Sequence, residues 1–402
     1  MLQSNILEFQ FWWLLPLVWS ILGLFLSLWI VISAPTFFLL PLGVCAPELS
    51  PWLLVINAIA LVLAFVVKGW LSYFILVCSS IGLSLSLLPL LQLPATNRRF
   101  EQEMSRALGT DYLDNIPQDL QSQMRPKPFA IADVFRGIPS KEVRIDRGIV
   151  FASPDGVDLK LNTYRPLQAG KYPALIVIHG GAWRSGSPDG YEKFSCYMAA
   201  RGYTVITIDY RHAPEYKFTQ QLEDVKTALQ YVRDRATDLE IDSDKMAIMG
   251  RSAGGHLATL AAYQNPIPWQ AVISYYGPVD LVEGYYDLPE PDPIDIQDVL
   301  EDFLGGTPEE RPKLYQQASP VNYIKPDLPP SLLVYSGRDR LVKAKFGRKL
   351  YNKDRLRARN TAILLEIPWA EHAFDAVFFG VSNQLVLYYT ERFLAFTLNN
   401  ES

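Results

Sequence analysis

Two regimes of hydrophobic patterning divide this chain. From Phe11 to Ser33 no residue carries a charge, and Trp and Leu dominate; from Pro51 to Leu93 the only charge is Lys68. At 1.5 Å per residue, runs of this length reach across a bilayer core. Lys68-Gly69 makes a hairpin tip that splits the second run into the arms Pro51–Val67 and Trp70–Leu91. The expectation is a helical transmembrane region over residues 1–93 with about three spans. Trp12 and Trp13 would mark one interface and Trp29 the other. A two-span or re-entrant arrangement is the rival. A signal peptide fits less well, since Glu8 is the only charge before the first run and no basic residue precedes it.

Beyond residue 93 the pattern turns polar. Residues 94–142 read as a linker, helical in part over 97–124, broken by Arg125-Pro126-Lys127-Pro128. Phe129, Ile131, Val134 and Phe135 then recur at helical spacing. Arg98, Arg99 and Arg106 follow the last span closely, against the single Lys68 on the other side. The positive-inside rule therefore puts the C-terminal domain of an integral membrane protein in the cytoplasm. Arg125, Lys127, Arg136, Lys141, Arg144 and Arg147 outnumber the acids around them. A solvated linker with a docking helix is the preferred reading; the sharper one is a juxtamembrane basic patch that holds the next domain on anionic membrane lipid.

From residue 143 to 402, short β-branched runs alternate with amphipathic ones. Strands are expected at Ile145–Ala152, Val157–Tyr164, Ala174–Ile178, Thr204–Ile208, Met246–Met249, Ala271–Tyr275, Leu332–Tyr335 and Ala362–Ile367. Helices are expected at Phe194–Arg201, Phe218–Arg235, Leu341–Ala358 and Leu385–Phe396, the second with Leu222, Val225, Leu229 and Val232 on one face. Such alternation predicts an α/β domain, a mostly parallel sheet covered by helices on both faces. Ligands then bind beyond the C-terminal strand ends. About fifty residues between Gly277 and Pro330 interrupt the alternation, and an insertion there reads as a lid or a substrate-binding element. Its Tyr285, Tyr286, Phe303, Tyr315 and Tyr323 either line a pocket or pack the insertion's own core.

The candidate chemistry centres on Gly250-Arg251-Ser252-Ala253-Gly254-Gly255. A strand before it and a helix after it are the setting of a nucleophile elbow. Only four histidines are present, His179, His212, His256 and His372. His372 is the one that follows both the serine and the last strand, and Asp339 sits in a turn after the strand Leu332–Tyr335. Serine, then acid, then histidine is the chain order expected around such an elbow. Asp375 is the nearest competitor for the acid, but lies after the histidine. The amides of Gly180, Gly181 and Ala253 are candidates for an oxyanion hole. Trp183, Tyr210 and Tyr276 are candidates for an aromatic substrate pocket.

These motifs resemble an α/β-hydrolase of the hormone-sensitive-lipase-like and BD-FAE-like carboxylesterase group. The resemblance covers roughly residues 143–398 and rests on His179-Gly180-Gly181-Ala182-Trp183, Asp209-Tyr210-Arg211-His212-Ala213-Pro214-Glu215, the elbow, Asp339 and His372. Ala182 stands where the lipase-like branch usually has a third glycine, which favours the BD-FAE-like branch. That branch includes kynurenine-formamidase-like and isoprenylcysteine-methylesterase-like enzymes. Arg251 departs from the acidic residue that often precedes the serine in the lipase-like branch. The resemblance implies two-step acyl transfer through a Ser252 acyl-enzyme, with neither metal nor organic cofactor. The substrate would be a small-molecule or lipid ester, and a lipophilic one suits the membrane setting. An amidase, formamidase or peptidase on the same residues is the enzymatic alternative; a catalytically inactive membrane interaction protein is the alternative of another class.

Composition narrows the picture further. A chain of 402 residues with net charge −5 shows no long basic patch and no zinc-finger or RNA-binding spacing, so nucleic acid is not an expected partner. Cys45, Cys78 and Cys196 suggest neither a disulfide framework nor a metal site. Oligomeric state is not legible at this level.

Overall fold

In the computed structural model, which describes residues 14–264, 267–358 and 360–399, all eight expected strands form one sheet. They are β1 Arg144–Ala152, β2 Leu159–Arg165, β3 Tyr172–Ile178, β4 Thr204–Ile208, β5 Ile241–Arg251, β6 Ala271–Tyr275, β7 Ser331–Ser336 and β8 Ala362–Ile367. The sheet order is β1-β2-β4-β3-β5-β6-β7-β8. β1 pairs antiparallel with β2, and β2 with β4; from β4 to β8 all pairs are parallel. β4, β6 and β7 are buried at every residue. A strand covered on both faces has no solvent side to show, so these runs carry no charged side chain and no strict polar–apolar alternation.

One face of the sheet packs on Leu222, Val225 and Leu229 of the helix Gln220–Asp234 and on Leu257 and Leu260 of the helix Ala253–Gln264. The other packs on Phe194 and Tyr197 of the helix Glu192–Ala199 and on Leu385 and Phe393 of the helix Val381–Thr397. The expected helix Leu341–Ala358 is shorter, an α-helix at Ala344–Tyr351 that continues as a wider π turn over Asn352–Arg357. Its start is delayed because the amides of Leu341 and Val342 both donate to the Asp339 carboxylate, 2.8 Å each, and so form a turn instead.

The apolar N-terminal region folds as the helices Leu14–Leu28, Leu40–Glu48, Ser50–Ala64 and Trp70–Leu108, with Lys68-Gly69 between the last two. Three spans were expected. Among the described residues only Trp70–Leu108 is by itself long and apolar enough to cross a membrane, and the pair Phe37–Glu48 and Ser50–Ala64, bent by 79°, passes the same test together. Leu14–Leu28 is a shorter apolar helix, and Trp12 and Trp13 lie outside the described residues. The expected loop between the first two spans is helical, with Pro41 in the first turn of Leu40–Glu48, where its missing N–H costs nothing.

The polarity of this bundle is inverted relative to the rest of the molecule. Its interior holds Ser20, Gly23, Ser27, Asn57, Gly82 and Ser86. Asn57 Nδ2 donates to Ser27 Oγ at 3.0 Å, and Ser27 Oγ lies 3.0 Å from Ser86 Oγ, so one small polar knot ties three helices. Its outer surface is large and apolar: Val18, Phe25, Val62, Phe65, Trp70 and Val77 are between 48% and 77% exposed.

Residues 94–142 are not a free linker. The helix Trp70–Leu108 runs straight through the expected boundary at residue 93, because Phe100 and Met104, one turn apart, are buried in the sheet's helical layer. Phe100 meets the Tyr389 ring edge-on at 5.5 Å, and Tyr389 Oη donates to Asn97 Oδ1 at 2.8 Å. The basic patch is also partly spent. Arg125 is buried and donates to Asp133 and Gln384, Arg144 forks onto Glu240, and Arg147 pairs with Glu192. Only Lys127, Arg136 and Lys141 of the six stay exposed without such a carboxylate among the described residues.

Phe100→Ala should therefore cost about 3–5 kcal/mol, the range for a buried Phe. A lowered urea midpoint of the catalytic domain's unfolding checks this. An unchanged midpoint would mean that the helix end is a loose linker after all.

Candidate active site

The end of β5 carries a sharp turn. Ser252 adopts a left-handed backbone, φ 52°, and its amide donates to the Tyr275 carbonyl at 2.9 Å. A side chain on Gly250 would come 2.1 Å from the Gly254 carbonyl, so only glycine permits the strand to double back into the helix Ala253–Gln264. Strain of this kind, about 1–3 kcal/mol, persists only where the surroundings impose it.

His372, in the loop after β8, brings Nε2 within 3.0 Å of Ser252 Oγ. Its Nδ1 is 2.7 Å from Asp339 Oδ2, in the turn after β7. Asp339 Oδ1 takes the amides of Leu341 and Val342, so the carboxylate is fixed in plane. With the Nδ1 proton facing Asp339, Nε2 is left as the acceptor for the serine hydroxyl. Burial pushes the His372 pKa down, but the Asp339 carboxylate, together with Glu371 and Asp375, more than offsets it and leaves the ring's pKa raised. Asp375 is not a competitor. It is buried in an ion pair with Arg251 and accepts the Tyr276 hydroxyl.

The turn after β3 faces the elbow. A Cβ on Gly180 would lie 2.8 Å from the Arg251 carbonyl and 3.1 Å from Ser252 Cβ, a gap that admits backbone alone. The Gly180-Gly181 peptides thus reach the serine from one side, with the Ala253 amide at the helix start on the other. His179 braces this turn: Nδ1 bonds the Gly180 carbonyl at 2.8 Å, and Nε2 lies 3.3 Å from Asp209 Oδ1. Among the described residues, His179, Asp209 and His212 are the one group whose ligand-type atoms lie within 4.8 Å of one another. The hydrogen bonds of His179, and that from the Tyr210 amide to Asp209, give the group a structural use. His256 points away from the serine; Nε2 bonds the Ala318 carbonyl at 2.6 Å and burial lowers its pKa to about 4.

A cavity of about 1120 Å³ opens over Ser252 and His372. Of the three expected pocket aromatics, Trp183 and Tyr276 line it and Tyr210 does not. Tyr210 is buried, stacked on the His179 ring at 4.4 Å, with its hydroxyl donating to the His179 carbonyl. In the insertion, none of the five aromatics lines the cavity, and Phe303 and Tyr315 follow the packing alternative. Phe303 is stacked at 4.2 Å on Trp183, while Leu281, Ile294, Ile296, Val299 and Leu300 face the cavity.

Sequence reasoning missed three features here. Arg251 is 1% exposed and enclosed by the rings of Tyr191, Phe194 and Tyr275, its guanidinium 4.2 Å from the first. Glu371, next to His372, has its pKa pushed up to about 7, first by burial and then by Asp339. The third is a cavity wall formed by Phe37, Leu40, Pro41, Val44 and Cys45 of the N-terminal region. Arg251 stood out in the sequence only as a departure from a motif, with no sign of its burial; nothing in the spacing pointed to the others.

Comparison with known proteins points to carboxylic-ester hydrolases. A family model described as BD-FAE matches residues 161–353. Esterase LipC of Mycobacterium tuberculosis is 32% identical over 219 residues, 50% of this chain and 53% of that protein. The probable carboxylic ester hydrolase LipM of the same organism is 31% identical over 220 residues, 51% of this chain and 50% of that one. The chain thus spans about half the length of these curated relatives. A solved arylesterase structure superposes with a TM-score of 0.52 at 20% identity, covering 71% of this chain and 99% of that one. At that identity the likeness is one of fold, the α/β-hydrolase fold.

The His372 ring should titrate above the ordinary histidine range, as followed by NMR of its ring protons. Asp339→Asn removes the main charge that raises the pKa and leaves the burial that lowers it, so the midpoint should fall. A midpoint unmoved by Asp339→Asn would contradict the pairing.

Proposed function

We propose that this chain is a membrane-anchored serine hydrolase that cleaves carboxylic esters, with Ser252 as nucleophile, His372 as base and Asp339 as its partner. The observation that carries the reading is the continuous line of hydrogen bonds from Ser252 Oγ through the His372 ring to Asp339, set beside the Gly180-Gly181 turn at a cavity. Esterase relatives that match about half of the chain support it.

His372 takes the serine proton as Ser252 Oγ attacks the ester carbonyl. Asp339 stabilises the imidazolium that forms. The amides of Gly180, Gly181 and Ala253 receive the developing oxyanion, each such donor worth about 3 kcal/mol in the transition state. The imidazolium then protonates the departing alcohol and leaves an acyl-enzyme. Water, deprotonated by the same ring, releases the acid and restores Ser252. Trp183 and Tyr276 bound the pocket, and its mostly apolar lining suits a lipophilic ester.

The inverted polarity of the N-terminal bundle supports the membrane part. In water, Val62 and Trp70 would be inside and Asn57 and Ser27 outside; in lipid, small and polar residues belong at the helix contacts. Residues 1–93 are the membrane region in this reading, 94–142 the docked connector, and 143–402 the catalytic domain. Arg98, Arg99 and Arg106 favour a cytoplasmic catalytic domain.

A fluorophosphonate probe should label the wild-type protein and not Ser252→Ala, and kcat/KM on p-nitrophenyl esters should fall at least about 10⁴-fold in that variant. Well-folded wild-type protein that neither labels nor hydrolyses would overturn the reading. The base must be neutral to accept a proton and its pKa is raised. Activity should therefore be lost as pH falls, along a limb lying above the ordinary histidine range; a limb at or below that range would contradict the role given to His372. A C-terminal alkaline phosphatase fusion should be inactive in cells, and an active one would reverse the orientation.

A further inference from the structure

The cavity over Ser252 is not closed by the catalytic domain alone. Phe37, Leu40, Pro41, Val44 and Cys45 line its far side. Their spacing puts them on one face of the Phe37–Leu39 turn and the helix Leu40–Glu48. These residues belong to the apolar N-terminal region, and together they present no charge to the cavity.

This helix is held firmly against the reacting groups. Gly43 faces the His372 loop, where an added Cβ would touch Glu371 Cγ at 3.9 Å. Glu48, fully buried, accepts the Ser382 amide at 2.8 Å. Leu40 and Val44 cluster with Ala34 and Leu341, two residues past Asp339. Arg338 Nη1 donates to the Trp29 carbonyl at 3.3 Å. A wall anchored at both the acid loop and the histidine loop keeps its distance from Ser252.

The same wall opens outward onto apolar surface. Phe37 lines the cavity and is still 66% exposed, and its neighbour Phe38 is 88% exposed. Val31 and Ile32, also about half exposed at 48% and 47%, extend this surface toward the outer faces of the long helices. Phe37, Leu40 and Val44 give an apolar chain an uncharged strip of wall, while the charged side chains of the lining, among them Asp292, Arg340 and Lys343, all belong to the catalytic domain. The cavity, at about 1120 Å³, exceeds the roughly 300–1,000 Å³ of ordinary small-ligand pockets.

From this continuity we infer that the helix Leu40–Glu48 is the substrate-selecting wall of the site, and that it seats the long apolar chain of a bilayer-resident ester drawn in past Phe37. The inference rests on the ester-hydrolase reading and adds the substrate class and the N-terminal residues that select it. Chain-length selection then comes from the membrane region, not from the catalytic domain.

The test uses the full chain in lipid nanodiscs and two substrate series, p-nitrophenyl decanoate against acetate, and decyl acetate against ethyl acetate. Val44→Trp fills the wall with an apolar side chain, and should lower the long-to-short ratio of kcat/KM at least about tenfold in one series. The affected series tells which side of the ester lies on the wall. Leu40→Ala widens the wall and should move the preferred chain length upward, which keeps the test decisive should Val44→Trp fold poorly. Val62→Trp, on the outward face of a neighbouring helix, should leave both ratios as in wild type. Ratios unchanged by Val44→Trp and Leu40→Ala in protein that still takes the fluorophosphonate probe would overturn the inference while leaving the hydrolase reading intact. An equal fall in Val62→Trp would overturn it too. Wild-type protein inert toward both probe and esters would remove the hydrolase reading and this inference with it.

Discussion

The active-site region depends on one backbone constraint, the left-handed turn at Ser252. An L-residue does not choose φ 52° freely. It is held there by β5 on one side, by the Tyr275 carbonyl that takes its amide, and by Gly250 and Gly254, whose backbones touch where side chains could not fit. Everything else in the site is placed relative to that turn. The Gly180 peptide can approach only because it lacks a side chain, and His372 reaches Oγ only because β7 and β8 run parallel to β5 and end at the same rim. The parallel sheet is thus the device that turns three distant stretches of sequence into one set of aligned atoms.

A second constraint acts on the first. The helix carrying Leu40 and Val44 packs near the loops of Asp339 and His372; buried Glu48 ties it to the Ser382 amide, and half-buried Arg338 ties the acid loop to the Trp29 carbonyl. Behind the site, the buried Arg251–Asp375 pair fills a ring-lined space and holds the Tyr276 hydroxyl. Removing one member of such a pair would strand a charge in the core. The N-terminal helical bundle and the catalytic domain are therefore packed on one another, and the first part of the expected linker, residues 94–108, continues the helix Trp70–Leu108 and docks on the domain through Phe100 and Met104.

Much of this was legible in the sequence, for reasons particular to each element. The strands at Ala174–Ile178, Thr204–Ile208 and Ala271–Tyr275 are short β-branched runs that have no other comfortable state in a soluble domain. Ser252, Asp339 and His372 stood out because each follows a strand, and parallel strands share a rim. The failures have equally local causes. Tyr210 was placed in the pocket because it follows β4, yet its ring is taken up in stacking on His179. The break at residue 93 followed the change in polarity, whereas helix formation depends on backbone propensity and ignores it, so Trp70–Leu108 continues. The wall at Leu40 and Val44 was invisible because it comes from tertiary docking between regions whose compositions differ, and no spacing rule records that contact.

The most direct test of the central claim is chemical capture at Ser252. Full-length protein mixed with p-nitrophenyl decanoate, quenched in acid within the first turnovers and digested, should yield an acylated peptide by mass spectrometry. The decanoyl group should map to Ser252, and the adduct should be absent from Ser252→Ala protein. A decanoyl adduct on another residue, or hydrolysis that persists in Ser252→Ala, would contradict the account.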